Sequence, residues 1–186
     1  MSGRPGIYIE DLTRNTDADR HYAVLGRALW LATRFERACR TLAVLLGANG
    51  VMSSTVDADP IQQLENFAAT VQGKNLNGII LHLAGKKAEN YLANALHAAR
   101  EARNLIAHEI ALGFDQTTTS EGSTHAQYEV LTPAVLALAE ADKVLSFIIS
   151  IRTGEPILVG EAEKNYINDV TGWVLGTTHA EPPNSR

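Results

Sequence analysis

One cysteine, Cys39, stands in the 186 residues, so no disulfide framework forms within the chain and no cysteine-based zinc site is available. A lone thiol fits a reducing, intracellular setting. Glycine (14) and proline (6) are too sparse for a collagen-like or low-complexity chain. No stretch approaches the roughly 18 uninterrupted apolar residues of a membrane span. The polar start, Met1 to Gly6, lacks the apolar core of a secretory signal. Basic charge is lacking too: the net charge is -5 and the pI about 5.7. That excludes a protein that coats nucleic acid by bulk charge, and leaves room for an enzyme that handles RNA at one local basic site. The expectation is a cytoplasmic protein with no membrane contact.

What is present reads as one helical domain. Apolar residues make up 45% and charged residues 20% of the chain, the balance of a soluble globular protein. Residues 1–16 show no periodicity and read as a flexible arm. From Asp17, Val24, Ala28, Leu31, Phe35, Ala38, Leu42 and Leu45 recur every three or four positions, as a buried helical stripe does. Leu25, Leu29, Ala32, Cys39, Ala43 and Leu46 widen it, so this helix packs on more than one side. It is expected to stop near Gly47 and Gly50. Asp59-Pro60 starts a second helix, cap then proline, which ends at Gly73. A short apolar segment from Leu76 to Leu83 stops at Gly85.

Lys86 to Leu112 then reads as the second long helix, about 40 Å at 1.5 Å per residue. Phe114 to Tyr128 is polar and reads as a loop. Thr132-Pro133 starts the next helix, which runs to about Arg152, and a last helix spans Glu161 to about Leu175. Ile157-Leu158-Val159 is the best strand candidate and is short. Residues 177–186 read as a disordered tail. The fold class is therefore all-α, a bundle of two long antiparallel helices and three or four shorter ones over residues 17–176.

Inside the second long helix stands Arg103-Asn104-Leu105-Ile106-Ala107-His108. Arginine, a polar residue directly after it, and histidine within four to six positions resemble the signature of the HEPN superfamily of helical nucleases. Arg14-Asn15 with His21, six residues between Arg and His, also fits that signature, but it lies before or at the start of the first helix. The resemblance extends to the order of elements, a long helix, a short helical insert and a second long helix carrying the motif, over roughly Asp17 to Arg152. It implies a HEPN-like bundle, usually a homodimer with two motifs facing one cleft. It also implies a metal-independent endoribonuclease, a toxin or defence effector, that leaves 2′,3′-cyclic phosphate ends.

The residue types suit that chemistry. Attack of a ribose 2′-hydroxyl on the adjacent phosphate needs a base and an acid, and histidine serves as either near neutral pH. The transition state gathers negative charge, for which a guanidinium offers a fixed fork of donors. Arg103, Asn104 and His108 are thus the candidate catalytic residues, with Asn104 holding the phosphate or orienting His108. No cofactor and no metal are implied.

Geometry raises one difficulty. On a straight α-helix residues five apart lie about 140° apart around the axis. Arg103 falls in the sector of Leu92, Ala99, Ile106 and Ile110, while His108 faces nearly the opposite way. Only a local distortion of the helix or a second subunit brings them together.

The alternative is a non-catalytic HEPN-like module that binds a partner protein or a nucleotide. On that reading Arg103 pairs with a carboxylate such as Glu36, His108 is an ordinary exposed or core histidine, and Asn104 is plain helix-surface polarity. Arg20, Arg27 and Arg34, with Arg37 and Arg40 nearby, read either as a track for an RNA backbone or as a solvated flank with ion pairs one turn apart. His97 and Glu101, one turn apart, make a thin metal pair. An antitoxin or regulatory protein is an expected partner beside RNA. Toxin members paired with a nucleotidyltransferase antitoxin often carry His, any residue, then Tyr. Ile110 stands where that tyrosine would be, so that mode of neutralisation is not expected here.

Overall fold

The computed structural model describes residues 16–52, 59–87, 90–110 and 121–177, and these form an all-α bundle. In chain order the helices are α1 (Thr16–Met52), α2 (Pro60–Gly73), α3 (Leu76–Ala84), α4 (Tyr91–Asn104), α5 (Glu121–Thr153) and α6 (Glu161–Leu175). α4 runs on without a break into a π-helical turn, Leu105–Ile110. No strand occurs among the described residues, and Ile157-Leu158-Val159 lies in the extended link between α5 and α6. No helix among them is long and apolar enough to cross a membrane. The expected arm and tail fall almost wholly outside the described residues; Thr16 opens α1, and Thr177 follows the Gly176 cap.

The buried side chains form one core around α1. Val24, Ala28, Leu31, Phe35 and Leu42 are buried, as are Leu25, Ala32, Cys39 and Ala43, so α1 does pack on more than one side. Ile79 and Ile80 of α3, Leu96 and Ala99 of α4, Ile106 of the π turn and Leu138 and Leu145 of α5 close over it. Each large aliphatic or aromatic side chain so buried contributes about 1.5–3 kcal/mol.

Contacts fix the directions. His21 of α1 meets Tyr128 of α5, and Arg34 meets Asp142, so α1 and α5 run parallel. Arg27 reaches Val174 while Asp142, beside Arg34, takes Tyr166, so α6 runs antiparallel to α1. Tyr91 and Phe147 line one cavity, and Asn104 and Val130 another, which sets α4 antiparallel to α5 and hence to α1.

Several boundaries follow local chemistry as expected. The Asp59 carboxylate accepts the Ile61 N–H at 3.0 Å, with Pro60 at the first helical position of α2. Asn75 and Asn90 cap α3 and α4, accepting from Gly78 and Ala93 at 2.8 Å each. Asn90 also donates to the Ala84 carbonyl at the end of α3. Its two-sided role starts α4 at Tyr91 rather than at Lys86.

Two expectations are corrected. α5 begins at Glu121, not Thr132, and carries Pro133 inside it. A proline there removes one helical hydrogen bond, and the Thr132 hydroxyl donates to the Tyr128 carbonyl at 2.7 Å nearby. The buried stripe of Leu131, Ala134, Val135 and Leu138 spans the proline, so packing carries the helix through it. α5 is consequently the second longest helix.

α1 likewise continues through Gly47 to Met52. A Cβ on Gly47 would lie 2.0 Å from Cζ of Phe67; the absent side chain is what lets α2 lie this close. Gly47→Ala is therefore expected to destabilise the fold by about 1–3 kcal/mol through overpacking, outweighing the roughly 1 kcal/mol gain in helix propensity. Thermal unfolding checks this, and a raised midpoint would refute it.

Candidate functional site

Arg103 sits on the last turn of α4, beside the buried sector of Ala99 and Ile106. Its side chain is 30% exposed, and its Nη2 donates to Glu36 Oε2 on α1 at 3.0 Å. Its Nη1 donates to Asn104 Oδ1 at 3.2 Å. An anion offsets the partial burial of this guanidinium, and the carboxylate the sequence singled out is the one that supplies it.

Glu36 in turn accepts from Arg40 Nη2 at 2.9 Å, one helical turn away. Arg40 spends its Nη1 on the Val71, Gln72 and Lys74 carbonyls at the end of α2, at 3.2, 2.8 and 3.1 Å. The Arg40 hydrogen bond, with the Arg103 charge, holds the Glu36 carboxyl below its ordinary value against the opposing effect of burial. A carboxylate lowered in the fold stabilises fully above its unfolded value near 4.5, and that stability goes as pH falls through the folded value. The urea midpoint of wild type is therefore expected to exceed that of Glu36→Gln at pH 6 and to converge on it as pH falls below 4.5 through the folded value. A gap that stays constant with pH would contradict this.

Arg103, Arg40, Glu36 and the exposed Arg37 line a shallow cleft of about 730 Å³ between α1 and α2. Asn104 lines a different groove, between α4 and α5. His108 is exposed on the π turn and is not among the residues lining either. The structure thus joins Arg103 to Asn104 and Glu36 and leaves His108 apart from that cluster.

The π turn changes the angle between them. From Arg103 to His108 there are two α steps of 100° and three smaller π steps of roughly 80°, which narrows the separation from about 140° to roughly 80°. The helix is distorted at the motif itself, as a shared site requires, though not by enough to superpose the two side chains. π turns are rare and are found frequently at functional sites.

The arginines of α1 are mostly committed to the fold. Arg27 Nε donates to the Val174 carbonyl at 3.0 Å, Arg34 engages Asp142, and Arg40 binds the end of α2. Arg20 and Arg37 remain exposed. The metal pair is likewise otherwise engaged. His97 is buried with Nε2 3.2 Å from the Gly85 carbonyl, and Glu101 pairs with Lys87 at 3.0 Å. Among the described residues no three His, Cys, Asp or Glu side chains stand together as a metal site.

A second polar centre escaped the sequence reading. Asp142 is fully buried; it accepts from Arg34 Nε at 2.9 and 3.2 Å and from the Tyr166 hydroxyl. Burial and the Asp142 hydrogen bond push the Tyr166 phenol up to about 12. Burial works against the Arg34 charge, but Asp142 outweighs it and raises the guanidinium above its ordinary value. The signal was in the register: Asp142 falls four residues after Leu138 and three before Leu145, on the apolar stripe of α5. Cys39, by contrast, is enclosed in the core, where burial pushes its thiol up to about 12 and leaves it unreactive.

Comparison of this chain with protein-family models, curated proteins and solved structures found no match.

Proposed function

We propose that the chain is a metal-independent endoribonuclease of the HEPN type, a toxin or defence effector working as a cytoplasmic homodimer. The observation that carries this reading is the π turn placed within the Arg103–His108 motif, where a straight helix would keep the two residues apart. In the reaction the ribose 2′-oxygen attacks the adjacent phosphorus and the bond from phosphorus to the 5′-oxygen breaks. His108 takes the hydroxyl proton or supplies one to the leaving oxygen. Arg103, held in place by Glu36, donates to the phosphate oxygens as charge accumulates, and Asn104 steadies its guanidinium. The partner copy brings a second motif to the same cleft, which supplies the convergence that one chain leaves incomplete.

A second reading, a non-catalytic module binding a partner protein or nucleotide, is favoured by one observation: Arg103 is already engaged by Glu36 and Asn104. The experiment that separates them is incubation of wild-type protein with a mixed RNA pool in EDTA, with analysis of fragment ends. Cleavage leaving 2′,3′-cyclic phosphates is expected. An intact pool would remove the nuclease and leave the binding module.

A further inference from the structure

A mostly apolar hollow lies away from the motif, between α5, α6 and the link joining them. Its volume is about 560 Å³, within the range of small-molecule sites. Val144, Phe147, Leu158 and Ile167 supply apolar wall, and Arg34 stands on the lining. The link contributes Leu158 between two glycines of positive φ, Gly154 and Gly160. These turn the chain so that an exposed segment flanks the hollow rather than packing into the core.

Arg34 is arranged as a receptor for an anion. Its Nε edge is held by both oxygens of the buried Asp142, itself fastened by the Tyr166 hydroxyl. Its guanidinium carbon lies 5.8 Å from the Trp30 ring centroid, which restrains it further. The Tyr166 hydroxyl accepts from the guanidinium as well, yet the side chain stays 46% exposed, so its terminal amino groups face outward as the fork that grips a carboxylate or phosphate. The other charges select between those anions. Lys143 is paired with Glu163 at 3.4 Å, and Glu140 also lines the hollow. Glu140 and Glu163 repel a doubly charged phosphate about twice as strongly as a singly charged carboxylate.

We infer that this hollow binds a small monocarboxylate with an apolar or aromatic body, its carboxylate on Arg34 and its body against Phe147, Leu158 and Ile167. The inference is independent of the nuclease reading and shares none of its residues.

Titration calorimetry on the intact chain with decanoate and with 2-naphthoate, against decan-1-ol as the neutral control, tests it. At least one carboxylate is expected to saturate a single site and to bind at least 10-fold more tightly than the alcohol. Arg34→Lys keeps a cation for Asp142 but loses the fork, and is expected to weaken binding at least 10-fold. Ser150→Trp fills the hollow from α5 and is expected to abolish binding. If Arg34→Lys fails to fold by circular dichroism, Ser150→Trp and the alcohol comparison decide the matter. No binding of either carboxylate, equal binding of the alcohol, or unchanged affinity in Ser150→Trp would overturn the inference.

Discussion

Arg34→Leu is expected to destabilise the protein by about 3–5 kcal/mol, a large share of the 5–15 kcal/mol that holds a domain folded. The reason is an asymmetry within one ion pair. Asp142 has no solvent exposure to speak of, with 1% of its side chain accessible, while Arg34 retains 46%. Removing Arg34 strands a buried carboxylate whose remaining partner is the Tyr166 hydroxyl. Removing Asp142 leaves a guanidinium that turns to water at small cost. Asp142→Leu, of the same branched shape though bulkier, and apolar like its neighbours Leu138 and Leu145, is accordingly expected to cost less than half as much. Urea denaturation of both variants measures the difference, and equal costs would contradict it.

RNA cleavage by His108→Ala is expected to fall by about 10²–10⁴, the usual contribution of a positioned general acid or base. Arg103→Ala is expected to lose about 10²–10³, as when one donor to a developing oxyanion is removed. Arg103→Lys should recover part of that loss, since it restores the charge without the planar fork. Neither alanine variant should unfold the protein. His108 is exposed, where substitutions change stability by at most about 0.5 kcal/mol, and Glu36 keeps its 2.9 Å bond to Arg40 when Arg103 is gone. Thermal unfolding of each variant therefore separates lost chemistry from lost structure. Mixing the two variants tests the dimer: a site built from Arg103 of one copy and His108 of the other regains activity in the mixed pair. Variants that cut as fast as wild type would dismiss both residues from the reaction.

Much of this architecture was legible in the residues. The Asp59-Pro60 start of α2, the ends of α2 and α3 at glycines and the limits of α6 depend on groups within about four positions of one another, so composition and order decide them. The stripe of α1 is equally local, because helical periodicity places Leu31, Phe35 and Leu42 on one side before any partner is chosen. The Arg103–Glu36 pair was within reach for a related reason: an arginine on an apolar sector demands a carboxylate, and Glu36 stood on the opposing helix.

The passage of α1 through Gly47 and of α5 through Pro133, the π turn at Leu105–Ile110 and the Arg34–Asp142–Tyr166 centre belong to the tertiary structure. α1 continues through Gly47, where Phe67 fills the space a side chain would take, and α5 spans Pro133 because Leu131 and Ala134 are both buried. Arg34 and Asp142 are 108 residues apart, and no pattern along the chain couples them. By itself the sequence determined most of the helical segments and which faces are apolar, since those are properties of neighbours. Which charges meet, and which helices override their own breakers, was decided by packing, where burial is worth more than local propensity.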